Sequence, residues 1–90
     1  MDCPAPYDVV VSLKGHDRGE FFQVIGIREG RVLLCDGRNR RIENPKCKNP
    51  RHVRVAAHAA RAPATDREIR KTLALAAQAA AKEERLLGER

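Results

Sequence analysis

Two cysteines and two histidines in the middle of the chain are the residues best suited to hold a metal ion: Cys35, Cys47, His52 and His58. Structural zinc sites usually contain close cysteine pairs such as C-x2-C, whereas Cys35 and Cys47 are twelve positions apart. Cys35 also lies in an apolar run, as is typical of a small core residue. We therefore expect no metal and no other cofactor.

His16 and Asp17 form an adjacent pair that could exchange protons during catalysis. No nucleophile pattern accompanies them, and a chain of 90 residues offers little volume for a substrate pocket. We expect the protein not to be an enzyme. Its three cysteines are an odd number in dissimilar surroundings, which favours reduced thiols over a disulfide framework.

Positive charge is concentrated in one short segment of the chain. Between positions 38 and 54, seven lysines and arginines are opposed by Glu43 alone, and seven less one equals the net charge of +6. Such a basic stripe is the electrostatic signature of a polyanionic partner, although a solvated basic face without a partner has the same composition. The stripe comprises Arg38, Arg40, Arg41, Lys46, Lys48, Arg51 and Arg54.

A polar loop bracketed by glycines, Gly15–Gly19, lies between two apolar runs. Glycine adopts positive φ without steric cost, so two glycines four positions apart allow a tight loop. Backbone N–H groups beside glycine can approach phosphates closely, because no Cβ intervenes. We expect His16, Asp17 and Arg18 to project into solvent. Together with Lys14 and the basic stripe, this pattern favours contact with nucleic acid over an ordinary hairpin loop.

Apolar runs bounded by turn-forming residues predict a mainly β fold with five strands. A segment rich in proline, asparagine and lysine, 44–50, is predicted to be a loop. The strands are predicted at Val9–Leu13, Phe22–Ile27, Val32–Cys35, Arg38–Glu43 and His52–Val55.

The spacing of apolar residues predicts which side chains face the core. Val9, Val11 and Leu13 share one face of the first strand and are expected to point inward. The second strand carries large apolar groups on both faces, so we expect its outer face to lie beneath a C-terminal helix. Gly26, in the middle of that strand, predicts a bend or bulge.

An alanine-rich segment after Pro63 predicts a long C-terminal helix from about Asp66 to Leu87. Thr65 and Glu68 have the spacing of a capping box at its start. One stripe at helical spacing comprises Ile69, Leu73, Ala76, Ala80 and Leu87. Of these, Ile69 and Leu73 are expected to dock on the strands. A second stripe, which a partner or a second copy could contact, comprises Leu75, Ala79 and Leu86.

The loop and the segments that follow it resemble the KOW motif. Many KOW units carry another glycine soon after the loop, where this chain has Phe21 and Phe22. From about Tyr7 to Val55, the chain is similar to short bacterial KOW-domain RNA-binding proteins, which are related to large-subunit ribosomal proteins of eukaryotes and archaea. The resemblance is carried by Lys14–Gly19, by Asp36-Gly37-Arg38 and by Asn44-Pro45-Lys46.

The resemblance implies a mainly β fold with a C-terminal α-helix, namely a five-stranded SH3-like (KOW) barrel over residues 9–55. A lead-in of residues 1–8, a connector of residues 56–64 and a helix of residues 65–88 complete the chain. It also implies a cytoplasmic, ribosome-associated protein that binds ribosomal RNA through its sugar–phosphate backbone. The residues expected to contact RNA are Lys14, Gly15, His16, Arg18, Gly19, Arg38, Arg40, Arg41, Lys46, Lys48, Arg51 and Arg54.

Other partners are compatible with the same sequence. SH3-like barrels also bind peptides, so a module that binds a ribosomal protein, a translation factor or a transcription factor is the alternative function. Phosphate contacts are alike in RNA and DNA, so DNA also stays open. We expect no signal peptide and no membrane-spanning segment, because no apolar run approaches the ~20 residues of a span.

Overall fold

A computed structural model of the chain describes residues 4–88, with side chains described for residues 4–83. Its five strands form one antiparallel sheet in the order β4-β3-β2-β1-β5, and a single helix follows. The predicted mainly β fold with a C-terminal helix is therefore confirmed. The elements are β1 Val9–Ser12, β2 Phe21–Arg28, β3 Arg31–Cys35, β4 Lys46–Lys48, β5 Val53–Ala57 and α1 Asp66–Gly88, with a 3-10 turn at Pro50–His52.

The fourth strand does not lie where the sequence pattern predicted it. Residues 38–43 form an irregular loop, and β4 comes from the segment that we predicted to be a loop. Asp36 explains the difference, because its Oδ1 accepts from the backbone N–H groups of Arg38 and Arg40, both at 2.8 Å. These hydrogen bonds form a turn directly after β3, so the next strand begins later in the sequence. Pro45 and Pro50 then flank β4, where neither removes a hydrogen bond from the sheet interior.

The sheet is apolar on both faces and therefore has two core clusters. Val10, Phe22 and Leu34 belong to the inner cluster, which lies on the face away from the helix. Val9 belongs to the second cluster, which α1 covers. Val9 and Val11 are buried as predicted, but Val10 on the opposite face of β1 is fully buried as well, in the inner cluster. Leu13, predicted to point inward, is 45% exposed because β1 ends at Ser12.

The predictions for β2 are confirmed. Phe22 lies in the inner cluster, while Phe21 and Ile25 pack in the cluster beneath α1. The pairing register between β2 and β3 shifts between Val24 and Gly26, which is a bulge at the predicted position. A bulge increases the local twist and bends the strand, so β2 can serve both clusters.

Helix α1 begins at the predicted cap. Thr65 Oγ1 accepts from the backbone N–H of Glu68 at 3.2 Å. Ile69 and Leu73 are buried against Val9 and Cys35, as expected for the docking face. Beyond them Ala80 is exposed, so the distal helix lies outside the packed cluster. Leu86 and Leu87, assigned to helix stripes above, lie outside the residues with described side chains.

Within residues 4–88, no helix combines the length and apolar character that a membrane span requires.

Candidate nucleic-acid interface

The loop between β1 and β2 is held in a tight conformation by its two glycines. Gly15 and Gly19 have φ values of +91° and +88°, a region that favours glycine. The Gly19 N–H donates to the carbonyl of Ser12 at 2.8 Å, which closes the loop at its base. The glycine-bracketed loop predicted from the sequence is therefore present, and its exposed residues include Lys14, His16 and Arg18.

Asp17 does not project into solvent, contrary to the sequence-based expectation. It is 6% exposed, and its carboxylate lies beneath the loop. Oδ1 accepts from Ser12 Oγ at 2.6 Å and from Lys48 Nζ at 2.8 Å. Oδ2 accepts from Lys46 Nζ at 2.5 Å. Three donors from two strands therefore converge on one carboxylate, which ties the loop to β4.

These contacts determine the ionisation of Asp17. Burial alone raises the pKa of a carboxyl group, but the hydrogen bonds from Lys46, Lys48 and Ser12 outweigh it. The pKa of Asp17 consequently lies well below its usual range. The carboxylate stays charged at neutral pH and neutralises part of the charge of the two lysines.

The two lysines of β4 have different surroundings. The Lys48 side chain is 9% exposed, and its Nζ also donates to the carbonyl of Lys14 at 2.8 Å. The Lys48 ammonium therefore holds the glycine loop in place and is not one of the exposed cations. The Lys46 side chain is 32% exposed, so its ammonium bonds Asp17 while remaining at the surface.

A second loop, between β3 and β4, carries three arginines of the basic stripe, Arg38, Arg40 and Arg41. Its position depends on α1, because Arg70 Nη1 donates to the carbonyl of Gly37 at 2.7 Å. Asp66 Oδ1 also accepts from the backbone N–H of Ile42 at 2.9 Å. Gly37 has a φ of +78°, and a Cβ there would lie 2.5 Å from the Asp66 carbonyl oxygen. Arg38 and Arg41 are exposed on this clamped loop.

Cys35 lies where this loop leaves the sheet, as predicted for a core residue. Its Sγ donates to the carbonyl of Arg41 at 3.2 Å. Burial, together with the nearby carboxylates of Asp66 and Asp36, raises the pKa of the Cys35 thiol to about 11. The thiol is therefore protonated at neutral pH and unreactive in the folded protein.

Two neighbouring concavities bring the glycine loop and part of the basic stripe together. A small cavity of about 110 Å³ is lined by the cations of Arg40 and Lys46 and by the carboxylates of Asp17, Glu20 and Asp36. A larger, shallow groove of about 410 Å³ lies on the other side of the ion pairs that Asp17 makes. Its lining includes Lys14, Gly15 and Lys48. The predicted site residues that share this side of the molecule are Lys14, Gly15, Arg40, Lys46 and Lys48.

Other residues of the stripe lie elsewhere. Arg54 lines a separate cavity together with Phe21 and Ala80, so it faces the distal half of α1. Arg38 follows the glycine that packs on the start of α1. Arg51 is exposed in the 3-10 turn before β5. The stripe that is continuous in sequence is thus divided between the loop side and the helix side of the sheet.

Two residues that the list of predicted site residues omits also line the shallow groove. Arg31 and His52 border it together with Lys14 and Lys48. Every charged residue described in this lining is basic. In the sequence, Arg31 follows the Glu29-Gly30 turn and directly precedes Val32. Because Val32 pairs with Lys48, this position brings Arg31 to the groove. The sequence pattern predicts a loop at 44–50, so it does not predict this strand pairing.

Comparison with known proteins adds no support to the resemblance to KOW proteins, which depends on the residues quoted above. No protein-family model matches this chain, and no curated protein matches it significantly.

Proposed function

We propose that the protein binds structured RNA, and that it does so as a ribosome-associated KOW protein of the cytoplasm. The observation that carries this proposal is the glycine loop pinned by Asp17 to β4, with exposed cations on both sides. Lys14 and Arg18 are exposed on the loop itself, and Arg40 and Lys46 border the adjoining cavity. Such an array suits the sugar–phosphate backbone, which supplies most of the electrostatic affinity for nucleic acids.

The proposed fold family is the SH3-like barrel of KOW domains. Three features support it: five antiparallel strands, pairing of the first strand with both the second and the last, and a bulge that bends β2. The loop that the resemblance to KOW proteins assigns to RNA contact, Gly15–Gly19, follows the first strand.

Recognition by the shape of the RNA fits the composition better than stacking of bases on the sheet. Phe22 is buried in the inner cluster, and Phe21 packs beneath α1. Tyr7 is half-buried beside β2, where its backbone N–H donates to Val24. No aromatic ring of the sheet is therefore presented as a platform of the kind that RRM domains use.

The test is the salt dependence of binding to a labelled RNA hairpin. Each phosphate contact contributes a slope of about −0.9 in log affinity against log salt. We expect Lys14→Gln, Arg18→Gln and Arg40→Gln together to weaken binding and to flatten the slope by about 2 to 3. The matched control removes three exposed charges elsewhere on the protein. It should change the RNA affinity and the salt slope much less, and its substitutions are Arg61→Gln, Arg67→Gln and Lys71→Gln.

Two results would contradict the proposal: an affinity that does not depend on salt, or equal losses in the two triple variants. A DNA hairpin of the same sequence, used as a competitor, separates RNA binding from DNA binding. Equal competition by DNA would remove the preference for RNA.

A protein-interaction module is the second candidate, because the exposed face of α1 offers an apolar anchor. Leu75 is 59% exposed and borders a cavity formed with Ala59 and Pro63 of the connector. Co-sedimentation with ribosomal subunits, with and without RNase, distinguishes the two candidates. A complex with a translation factor that survives RNase and is lost in Leu75→Asp would favour the module.

A further inference from the structure

The shallow groove beside the glycine loop differs in charge from three other concavities formed by the described residues. Its charged lining residues are Lys14, Arg31 and Lys48, all of them basic. The cavity at the distal helix pairs Arg54 with Glu83, and the cavity at the connector includes Glu68. Among the concavities of the described residues, this groove therefore has the lining best suited to an anionic ligand.

The groove is larger than a single phosphate group requires. Its volume of about 410 Å³ falls within the range of about 300–1,000 Å³ that is typical of small-molecule sites. His52 adds a half-buried ring to a lining that otherwise contributes charge. Imidazole rings are among the side chains on which unstacked bases stack in RNA complexes.

The walls of the groove are fixed to one another by hydrogen bonds. The Leu13 N–H donates to the carbonyl of His52 at 2.8 Å, which joins the histidine wall to the glycine loop. Lys48 Nζ donates to the carbonyl of Lys14 at 2.8 Å, which joins β4 to the same loop. The His52 N–H donates to the carbonyl of Asn49 at 2.9 Å. The backbone of His52, the backbone of the glycine loop and the Lys48 ammonium are thus held in one arrangement before any ligand binds, which lowers the entropic cost of binding.

We propose that this groove accepts one unpaired nucleotide of the bound RNA. The base stacks on His52, and the exposed side chains of Lys14 and Arg31 hold its phosphate. Lys48 contributes mainly to the floor, because Asp17 already neutralises it. This inference rests on the proposed RNA-binding function and narrows its substrate class to helices interrupted by a bulge or flanked by a single strand.

The test compares two labelled RNA hairpins that differ by one bulged nucleotide. We expect the wild-type protein to bind the bulged hairpin about tenfold more tightly than the fully paired one, as one stacked base allows. His52→Ala should reduce this preference to less than about twofold, while His52→Phe should retain it. Arg31→Gln should weaken binding of the bulged hairpin more than that of the paired one. The control, Arg67→Gln, removes an exposed charge of α1 and should leave the preference unchanged.

Each outcome bears on the inference. Equal binding of the two hairpins by the wild type, or a preference that survives His52→Ala, overturns the nucleotide groove and leaves the proposed RNA contact standing. Absence of salt-dependent binding to either hairpin overturns both. Thermal melting of each variant identifies any loss of fold. Arg31 is exposed, so Arg31→Gln tests the groove even if His52→Ala unfolds.

Discussion

A single buried carboxylate organises the candidate interface at the scale of the residue. Asp17 receives hydrogen bonds from Ser12, Lys46 and Lys48, and the two lysines are 29 and 31 positions away in sequence. Removing one partner of a buried ion pair leaves an uncompensated charge, which costs more than the pair itself contributes. The loop's shape therefore depends on the Asp17 side chain more than on the exposed side chains of Lys14, His16 and Arg18.

The first prediction concerns the loss of this carboxylate. Asp17→Asn should lower the free energy of unfolding by about 3 kcal/mol, because Lys48 is left charged and buried. Urea denaturation measures the change. Glu20→Gln is the matched control, since Glu20 is exposed in the same loop, and it should cost less than about 0.5 kcal/mol. Equal costs in the two variants would contradict the ion-pair account.

The second prediction concerns pH. The folded-state pKa of Asp17 lies below the ordinary value of 3.8, so the unfolded chain binds a proton at higher pH than the folded one. Its contribution is therefore complete above about pH 5 and is lost as pH falls through 3.8 toward the lower folded value. The difference in unfolding free energy between wild type and Asp17→Asn should shrink between pH 5 and pH 3. A difference that stays constant over this range would refute the assignment.

At the scale of the element, the first turn of α1 does more than cover the sheet. Its Asp66 and Arg70 clamp the loop that carries Arg38, Arg40 and Arg41. The clamp requires close approach of backbone to backbone at Gly37. The β3–β4 loop with its arginines therefore takes its position only when α1 is docked on the sheet.

The third prediction uses two glycines with the same backbone conformation. Gly37 and Gly30 both have a φ of +78°, but an added Cβ at Gly30 meets no atom within 4 Å. Gly30→Ala should cost about 1 kcal/mol, the strain of a left-handed residue. Gly37→Ala should cost about 2 to 4 kcal/mol, because overpacking against Asp66 adds to that strain. Chemical denaturation monitored by circular dichroism measures both, and equal costs would argue against the clamp.

The fourth prediction distinguishes the two faces of α1. Ile69→Ala should destabilise the protein by about 3 kcal/mol, because Ile69 is fully buried against Val9 and Cys35. Leu75→Ala should change the stability by less than about 0.5 kcal/mol, since Leu75 is exposed. Thermal unfolding of the two variants measures the contrast. A large cost at Leu75 would show that its face packs on the protein itself.

At the scale of the whole molecule, one sheet supports two clusters of buried residues. The inner cluster is built from strands alone, whereas the second cluster, beneath α1, also requires side chains of the helix. Cys35 belongs to the second cluster and Cys47 is exposed at the surface. The two thiols therefore report on different parts of the structure.

The fifth prediction uses these thiols in a Cys3→Ser background. At pH 8 Cys47 should react with iodoacetamide at the rate of a free thiol. Cys35 should react at least about a hundredfold more slowly, because it is buried and its pKa is raised to about 11. Peptide mass spectrometry after timed labelling measures both rates. Rapid labelling of Cys35 in the folded protein would contradict the packing of α1 on the sheet.

Much of the fold could be predicted because it depends on neighbours in sequence. Apolar runs and turn residues determined β2, β3 and the glycine loop, and the Thr65 cap determined the start of α1. The fourth strand was misplaced because side-chain bonds from Asp36 override the weak strand propensity of 38–43. The full burial of Val10 did not follow from the alternation in β1, because periodicity alone does not show that both faces of a strand are covered.

By itself, then, the sequence determined the class of fold, the basic character and the glycine loop, since composition and local spacing encode them. Only the tertiary structure decided how these charges are used. It buries Lys48 under Asp17, turns Arg54 toward the helix and places Arg31 and His52 beside Lys14. The physical reason is that strand register brings together residues some thirty positions apart, and no local pattern specifies that register.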